Sequence, residues 1–259
     1  MDQEKRRILE TQYKQDLGGV IVKFDSPLSP PVTISGENLD VGTTVEDLWG
    51  QGGTETVETT NSIDSYSSSS GSDTGDITVE GYTVSSGVFT YVSQTVTLAG
   101  QTETLLTTAL ARVTRVFNAG SAALVGDVYI YEDDTVTAGV PQTAGNIHAK
   151  LNIGDEETSK ALLTVRDGLY FFVTSIFGST FSATNLAKFT LQVKESGGVF
   201  RDKVNLAVAA GNHAQLDLKC APIVVPANAD VKLVGVASGA STHLVGGFTG
   251  FYAKVETEI

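Results

Sequence analysis

The sequence predicts an all-β protein: antiparallel β-sandwich modules of jelly-roll-like character, preceded by an extended N-terminal arm. Three observations carry that expectation. Short runs rich in Val, Ile, Thr, Tyr and Phe recur between polar and glycine turns, most densely from Ala144 to Ile259. They follow one another at hairpin spacing, without the long crossovers that parallel strands need. Only 18% of the residues are charged while glycine is abundant, which suits a protein of many tight turns better than a helical one. A length of 259 residues is enough for one large β domain or two smaller ones. The expected division is an arm over 1–50, a β module over 51–144 with a flexible Ser/Thr-rich start, and a C-terminal sandwich over 145–259.

In the arm, Asp2 to Asp16 is charged, with Ile8, Leu9 and Tyr13 at helical spacing, a pattern for a short helix docked by a narrow stripe. Gly18-Gly-Val-Ile-Val-Lys-Phe can form a strand. Ser26-Pro-Leu-Ser-Pro-Pro-Val then imposes extended backbone and forbids a central strand. Glu46-Asp-Leu-Trp-Gly-Gln-Gly-Gly holds the only tryptophan, among glycines that let the chain turn sharply. Trp49 reads either as an anchor in a pocket of its own domain or of a neighbouring subunit, or as a cover for the edge of its own sheet.

From Thr54 to Asp76 the chain is Ser, Thr, Gly and acidic residues. So little apolar surface cannot offset the entropy of ordering, so a flexible spacer or solvent-facing loop is expected. Alternation begins at Ile77-Thr-Val-Glu-Gly-Tyr-Thr-Val. It continues through Gly87 to Leu98, with Val88, Thr90, Val92, Gln94, Val96 and Leu98 on one face. Val84-Ser-Ser-Gly-Val is a hairpin connection between the two runs. Ala109 to Phe117 and Gly126 to Glu132 supply further strands. Leu169-Tyr-Phe-Phe-Val is apolar almost throughout and belongs at the centre of a sheet covered on both faces.

The net charge of −13 is unevenly placed. Between Phe24 and Ala111 there are twelve acids and no Lys or Arg, while the remainder balances 18 acids against 17 bases. Such a surface repels nucleic acid and anionic membranes and is compatible with a basic protein partner. Arg166, Lys188, Lys194, Arg201 and Lys203 fall on nearby predicted strands, where they are either scattered surface charges or a shared face for the acidic block of another copy. The basic start lacks the apolar run of a secretory signal, and the stretch around Leu169 to Phe177 is too short for a membrane helix.

Catalytic patterns are missing: no phosphate-binding glycine loop, dinucleotide fingerprint, nucleophile elbow or His-Glu-x-x-His occurs. His148, His213 and His243 are far apart in sequence. Glu132-Asp-Asp and Asp155-Glu-Glu lack the alternating spacing of a calcium loop. No catalytic residue, cofactor or metal ligand is therefore assigned. Cys220, the single cysteine, ends a strand-like run and is expected as a small buried hydrophobe.

Several segments together have a familiar look. Glu46-Asp-Leu-Trp-Gly-Gln-Gly-Gly before a Thr-rich run, Val79-Glu-Gly-Tyr, Gln94-Thr-Val-Thr-Leu-Ala-Gly, Gly197-Gly-Val-Phe-Arg and Pro226-Ala-Asn-Ala-Asp-Val-Lys are similar to segments of tailed-bacteriophage virion structural proteins. Leu163-Thr-Val-Arg-Asp-Gly-Leu-Tyr resembles another such segment, with Arg166 where a proline is expected. The resemblance covers most of the chain from Thr44 onward. It implies a non-enzymatic building block present in several copies, made in the host cytoplasm and located in the virion. Its expected partners are copies of itself and the major capsid protein, or else neck and tail proteins; nucleic acid and membrane are not among them. Glu46, Asp47, Leu48, Trp49, Arg166 and Arg201 are the residues expected to meet a partner. A different function, glycan recognition by exposed aromatics, has Tyr82, Tyr91, Phe171 and Tyr252 available.

Overall fold

A computed structural model describes residues 30–254 of the chain. The helix expected over Asp2 to Asp16 and the strand expected at Gly18 to Phe24 lie outside the described residues. In order, the strands are β1 (Val32–Val41), β2 (Glu46–Asp47), β3 (Ile63–Ser68), β4 (Asp76–Ser85), β5 (Val88–Thr97), β6 (Thr104–Leu110) and β7 (Arg112–Asn118). Then follow β8 (Val128–Glu132), β9 (Val136–Thr137), β10 (Val140–Pro141), β11 (Ile147–Leu151), β12 (Leu162–Thr164) and β13 (Tyr170–Thr180). The last are β14 (Ala187–Lys194), β15 (Arg201–Val208), β16 (His213–Asp217), β17 (Ile223–Val225), β18 (Asp230–Ala237) and β19 (Thr242–Ala253). Every strand pairing among the described residues is antiparallel, so the all-β expectation holds.

Two bodies result. In the outer one, a sheet ordered β1-β19-β13-β16, with β17 also on β13, stacks on a sheet ordered β12-β18-β14-β15, with β2 added to β18. Phe171, Ile176, Leu244 and Phe248 of the first sheet share a core with Leu163, Phe189, Leu191, Val231 and Leu233 of the second. As its apolar run requires, β13 is central, flanked by β19 on one side and by β16 and β17 on the other.

The other body comprises a sheet β11-β8-β3-β6, a sheet β5-β4-β7 and the small hairpin β9-β10. Ile63, Tyr66, Val128 and Ile130 meet Ile77, Val79, Val96, Val113 and Val116 in its core. The expected β4–β5 hairpin forms, closing through Ser86 (φ 51°) and Gly87 (φ 79°), both left-handed as a two-residue hairpin turn requires. Because β1 and β2 belong to the outer body and β3 to β11 to this one, the second sandwich is an insertion between β2 and β12. The chain crosses between the bodies twice.

Three expectations are corrected. Residues 32–41 and 46–47, read as part of an extended arm, are strands of the outer body. The alternation of Val32 and Ile34 turns one face of β1 onto the outer core, and the Pro30-Pro31 pair sits just before this edge strand, where no ladder hydrogen bond is lost. The stretch expected as a flexible Ser-rich spacer contains β3, which lies between β8 and β6. Ser65, Ser67 and Ser68 are buried there because each small hydroxyl has a partner. Ser67 Oγ donates to the Gly139 carbonyl (2.9 Å), and Ser68 Oγ donates to Asp73 Oδ2 (2.5 Å). Cys220 is exposed, because it falls in the turn after β16, where Ala221 N bonds the Leu218 carbonyl.

Candidate interaction site at the junction of the two bodies

The Glu46–Gly53 segment opens the first crossing, which runs on to β3, and its sequence explains its shape. Gly52 (φ 77°) and Gly53 (φ 70°) take left-handed backbone that folds the segment onto itself. Asp47 N then donates to the Gly53 carbonyl (2.8 Å) and Gly52 N to the Trp49 carbonyl (3.2 Å). Glu46 holds the loop, its carboxylate accepting from Gly42 N (2.9 Å) and Gly53 N (3.0 Å). Leu48 enters the outer core. Trp49 is buried with Tyr129, Tyr131 and Ile147 on the face of β8 opposite the inserted core, and its Nε1 donates to the Gly53 carbonyl (3.3 Å). Trp49 thus covers a sheet of its own chain.

The returning segment runs alongside. Ala161 N donates to the Leu48 carbonyl (2.9 Å), and Trp49 and Lys160 form an isolated antiparallel bridge. Lys160 is buried, and its ammonium donates to Glu55 Oε1 (2.6 Å), the Val113 carbonyl (2.7 Å) and the His148 carbonyl (2.8 Å). Two further buried pairs flank it. Lys232 lies 2.7 Å from Asp47 Oδ1. Arg112 of the inserted body makes a bidentate pair with Asp230 of the outer body at 3.1 and 2.9 Å, and Thr164 Oγ1 donates to the same carboxylate (2.7 Å). Burial pushes the Glu55 carboxyl up, but Lys160 and His148 outweigh it and hold the group below its ordinary value. At Asp47 the balance is reversed: burial dominates over Lys232 and raises the carboxyl.

Two acids of the base-free stretch, Glu55 and Asp47, therefore meet bases inside the chain, and those bases are Lys160 and Lys232 rather than Arg166, Lys188, Lys194, Arg201 or Lys203. Asp47, Leu48 and Trp49 present no surface to a neighbour, because intrachain burial claims each of them. Arg201 stays exposed on β15, at the far edge of its sheet. Arg166 lies in a cleft of about 470 Å³ between the bodies, together with Tyr82, Tyr91, Tyr252, Glu80 and Arg115. Its guanidinium stacks 4.8 Å from the Tyr91 ring centre and 6.0 Å from that of Tyr252, while Tyr82 meets Tyr91 edge-on at 5.7 Å. Three of the four aromatics singled out from sequence thus converge, whereas Phe171 is in the outer core. The histidines do not converge: His148 is buried on β11, His213 is exposed on β16, and His243 stacks on Phe181.

Apolar side chains reach solvent at one end of the outer body. Leu39 at the end of β1 and Val45, Phe181 (65% exposed) and Leu186 on loops lie there, on segments tied together. Phe181 N donates to the His243 carbonyl (3.2 Å), Ala237 N to the Gly42 carbonyl (3.0 Å) and Leu186 N to Ser238 Oγ (2.9 Å).

No protein-family model matches the chain, and no curated protein sequence matches it significantly. Among solved structures it is similar to infectious bursal disease virus of the Gx strain (11% identity, 93% of this chain and 80% of that chain, TM-score 0.20) and of the Gt strain (12%, 92% and 80%, 0.20). It is also similar to the VP2 subviral particle of that virus (11%, 93% and 81%, 0.18). Overlap at that level does not define a shared fold.

Proposed function

We propose that the chain is a non-enzymatic structural protein of a tailed-bacteriophage particle, decorating or cementing the capsid through contacts with its own copies and with the major capsid protein. The observation that carries the reading is the apolar end of the outer body, where Leu39, Val45, Phe181 and Leu186 are exposed on segments linked by hydrogen bonds. Exposed apolar groups gathered at one end of a body suit a protein-binding surface. The phage-like segments supply the particle context. The buried charged pairs suit a rigid block, since Arg112–Asp230 bridges the two bodies and Lys160–Glu55 joins the two crossing segments. With Asp47, Leu48 and Trp49 buried inside the chain, the apolar end formed by Leu39, Val45, Phe181 and Leu186 takes the place of the Trp49 segment as the contact surface.

Quantitative mass spectrometry of purified particles tests the reading. Shell-scale stoichiometry supports capsid decoration, a single ring's worth supports a neck or tail position, and absence from particles removes the proposal. Phe181→Ser with Leu186→Ser should lower incorporation at least tenfold, while the isolated chain keeps its folded circular dichroism spectrum.

The aromatic cleft favours a second reading, recognition of host glycans. A sugar stacking on Tyr91 has to displace Arg166 from the ring face, so Arg166→Ala should strengthen any glycan-array signal. An array without signal for either protein removes this reading.

A further inference from the structure

We propose that Glu58, Glu132 and His148 form a binding site for one divalent first-row transition-metal ion of the zinc class. Donor atoms of the three side chains lie within 4.8 Å of one another. His148 Nε2 stands 3.6 Å from Glu132 Oε1, close to the roughly 3.4 Å that separates two ligands on one tetrahedral zinc with bonds near 2.1 Å.

His148 points independently to a ligand. It is 1% exposed, and its Nε2, aimed at the carboxylates, has no hydrogen-bond partner. An imidazole nitrogen so placed is costly unless something accepts its proton or its lone pair. The other ring nitrogen, Nδ1, faces Glu55 Oε1 at 3.8 Å, and Lys160 fixes that carboxylate at 2.6 Å. A carboxylate behind a histidine is the arrangement that orients metal-bound imidazoles and raises their basicity.

The backbone also places the residue with purpose. His148 falls where the β11–β8 register slips between Ile147 and Ala149, a bulge that redirects one side chain without altering the rest of the strand. Glu132 ends β8, and Ser62 Oγ donates to its Oε1 (2.5 Å), which orients the carboxylate. Glu58 comes from the crossing segment. Its carbonyl accepts from Arg112, whose own charge is matched by Asp230.

Charge fits a dication. Glu55, Glu58 and Glu132 gather three carboxyl groups about one ammonium, that of Lys160, and a divalent ion offsets that excess of acidic groups. Imidazole among the donors favours zinc, copper or nickel over magnesium and calcium, which take oxygen alone. Bound there, the ion ties the first crossing segment to the two strands of the inserted sheet. The site does not depend on the virion reading.

Isothermal titration of the purified full chain, stripped with EDTA, with ZnCl2, CaCl2 or MgCl2 tests the site. One zinc per chain is expected, with at least tenfold weaker binding of calcium and magnesium, and zinc should raise the melting temperature. Glu58→Gln, on a partly exposed loop residue, should weaken zinc tenfold or more with an unchanged circular dichroism spectrum; His148→Gln should do the same. Cobalt substitution should give visible d–d absorption in the parent chain and lose it in both variants. Zinc affinity within twofold of the parent in Glu58→Gln, calcium binding as tight as zinc, or no zinc binding at all overturns the proposal.

Discussion

The outer and inserted bodies use the same antiparallel strands but are held by different forces. Phe171, Phe189 and Phe248 interlock with aliphatic neighbours in an apolar core between the two outer sheets. The inserted body has its own apolar core, yet the chain must cross to it and back, and those crossings bury charged side chains, Glu55 and Lys160 among them. Strand carbonyls that face the crossings still need donors. Lys160 supplies them to Val113 of β7 and His148 of β11, and Glu55 balances its charge. The difference teaches that the buried ions follow from the insertion: they satisfy a junction that strand ladders cannot.

The comparison predicts a ranking of damage. Phe189→Ala should cost about 3–5 kcal/mol, because the outer core cannot collapse around the lost ring. Urea unfolding measures it, and a cost below about 1 kcal/mol would break the contrast. Asp230→Ala should cost about 3 kcal/mol, since it leaves Arg112 buried and unpaired. It should also separate the unfolding of the two bodies into two transitions, which Phe189→Ala should not do.

A smaller effect concerns acid. Because the folded Glu55 carboxyl lies below its ordinary 4.5, its contribution to stability is complete above that pH and is lost as pH falls through the folded value. Glu55→Gln should flatten the fall in unfolding free energy below pH 4.5, and an unchanged slope would assign the acid sensitivity elsewhere. The smallest expected effect is that of Arg112→Met combined with Asp230→Leu, within about 1 kcal/mol of the parent, because both charges leave together. A large loss there would mean that the pair stabilises the junction beyond merely avoiding unpaired charge.

Some of this was legible in the residues. Leu169-Tyr-Phe-Phe-Val declared a central strand, and Ser86-Gly87 declared a hairpin turn, because both signals are local. Trp49 stood out by composition, and a cover for its own sheet was one of the expected readings. The strand at Ile63–Ser68 was hidden because serine hydroxyls read as solvent-facing until their partners at Gly139 and Asp73 are known. Glu132 and His148 each drew notice, but a bulge and a neighbouring strand were needed to bring them together.

By itself the sequence determined the class: period-two alternation and turn residues act within a few positions, so antiparallel β structure was inevitable. The insertion, the burial of the acidic crossing and the site around His148 were decided only by tertiary structure. Lys160 meets Glu55 across 105 residues and Arg112 meets Asp230 across 118, and no local periodicity encodes a pairing over such a distance. What selects those partners is the cost of leaving either charge alone once the two sandwiches have closed around it.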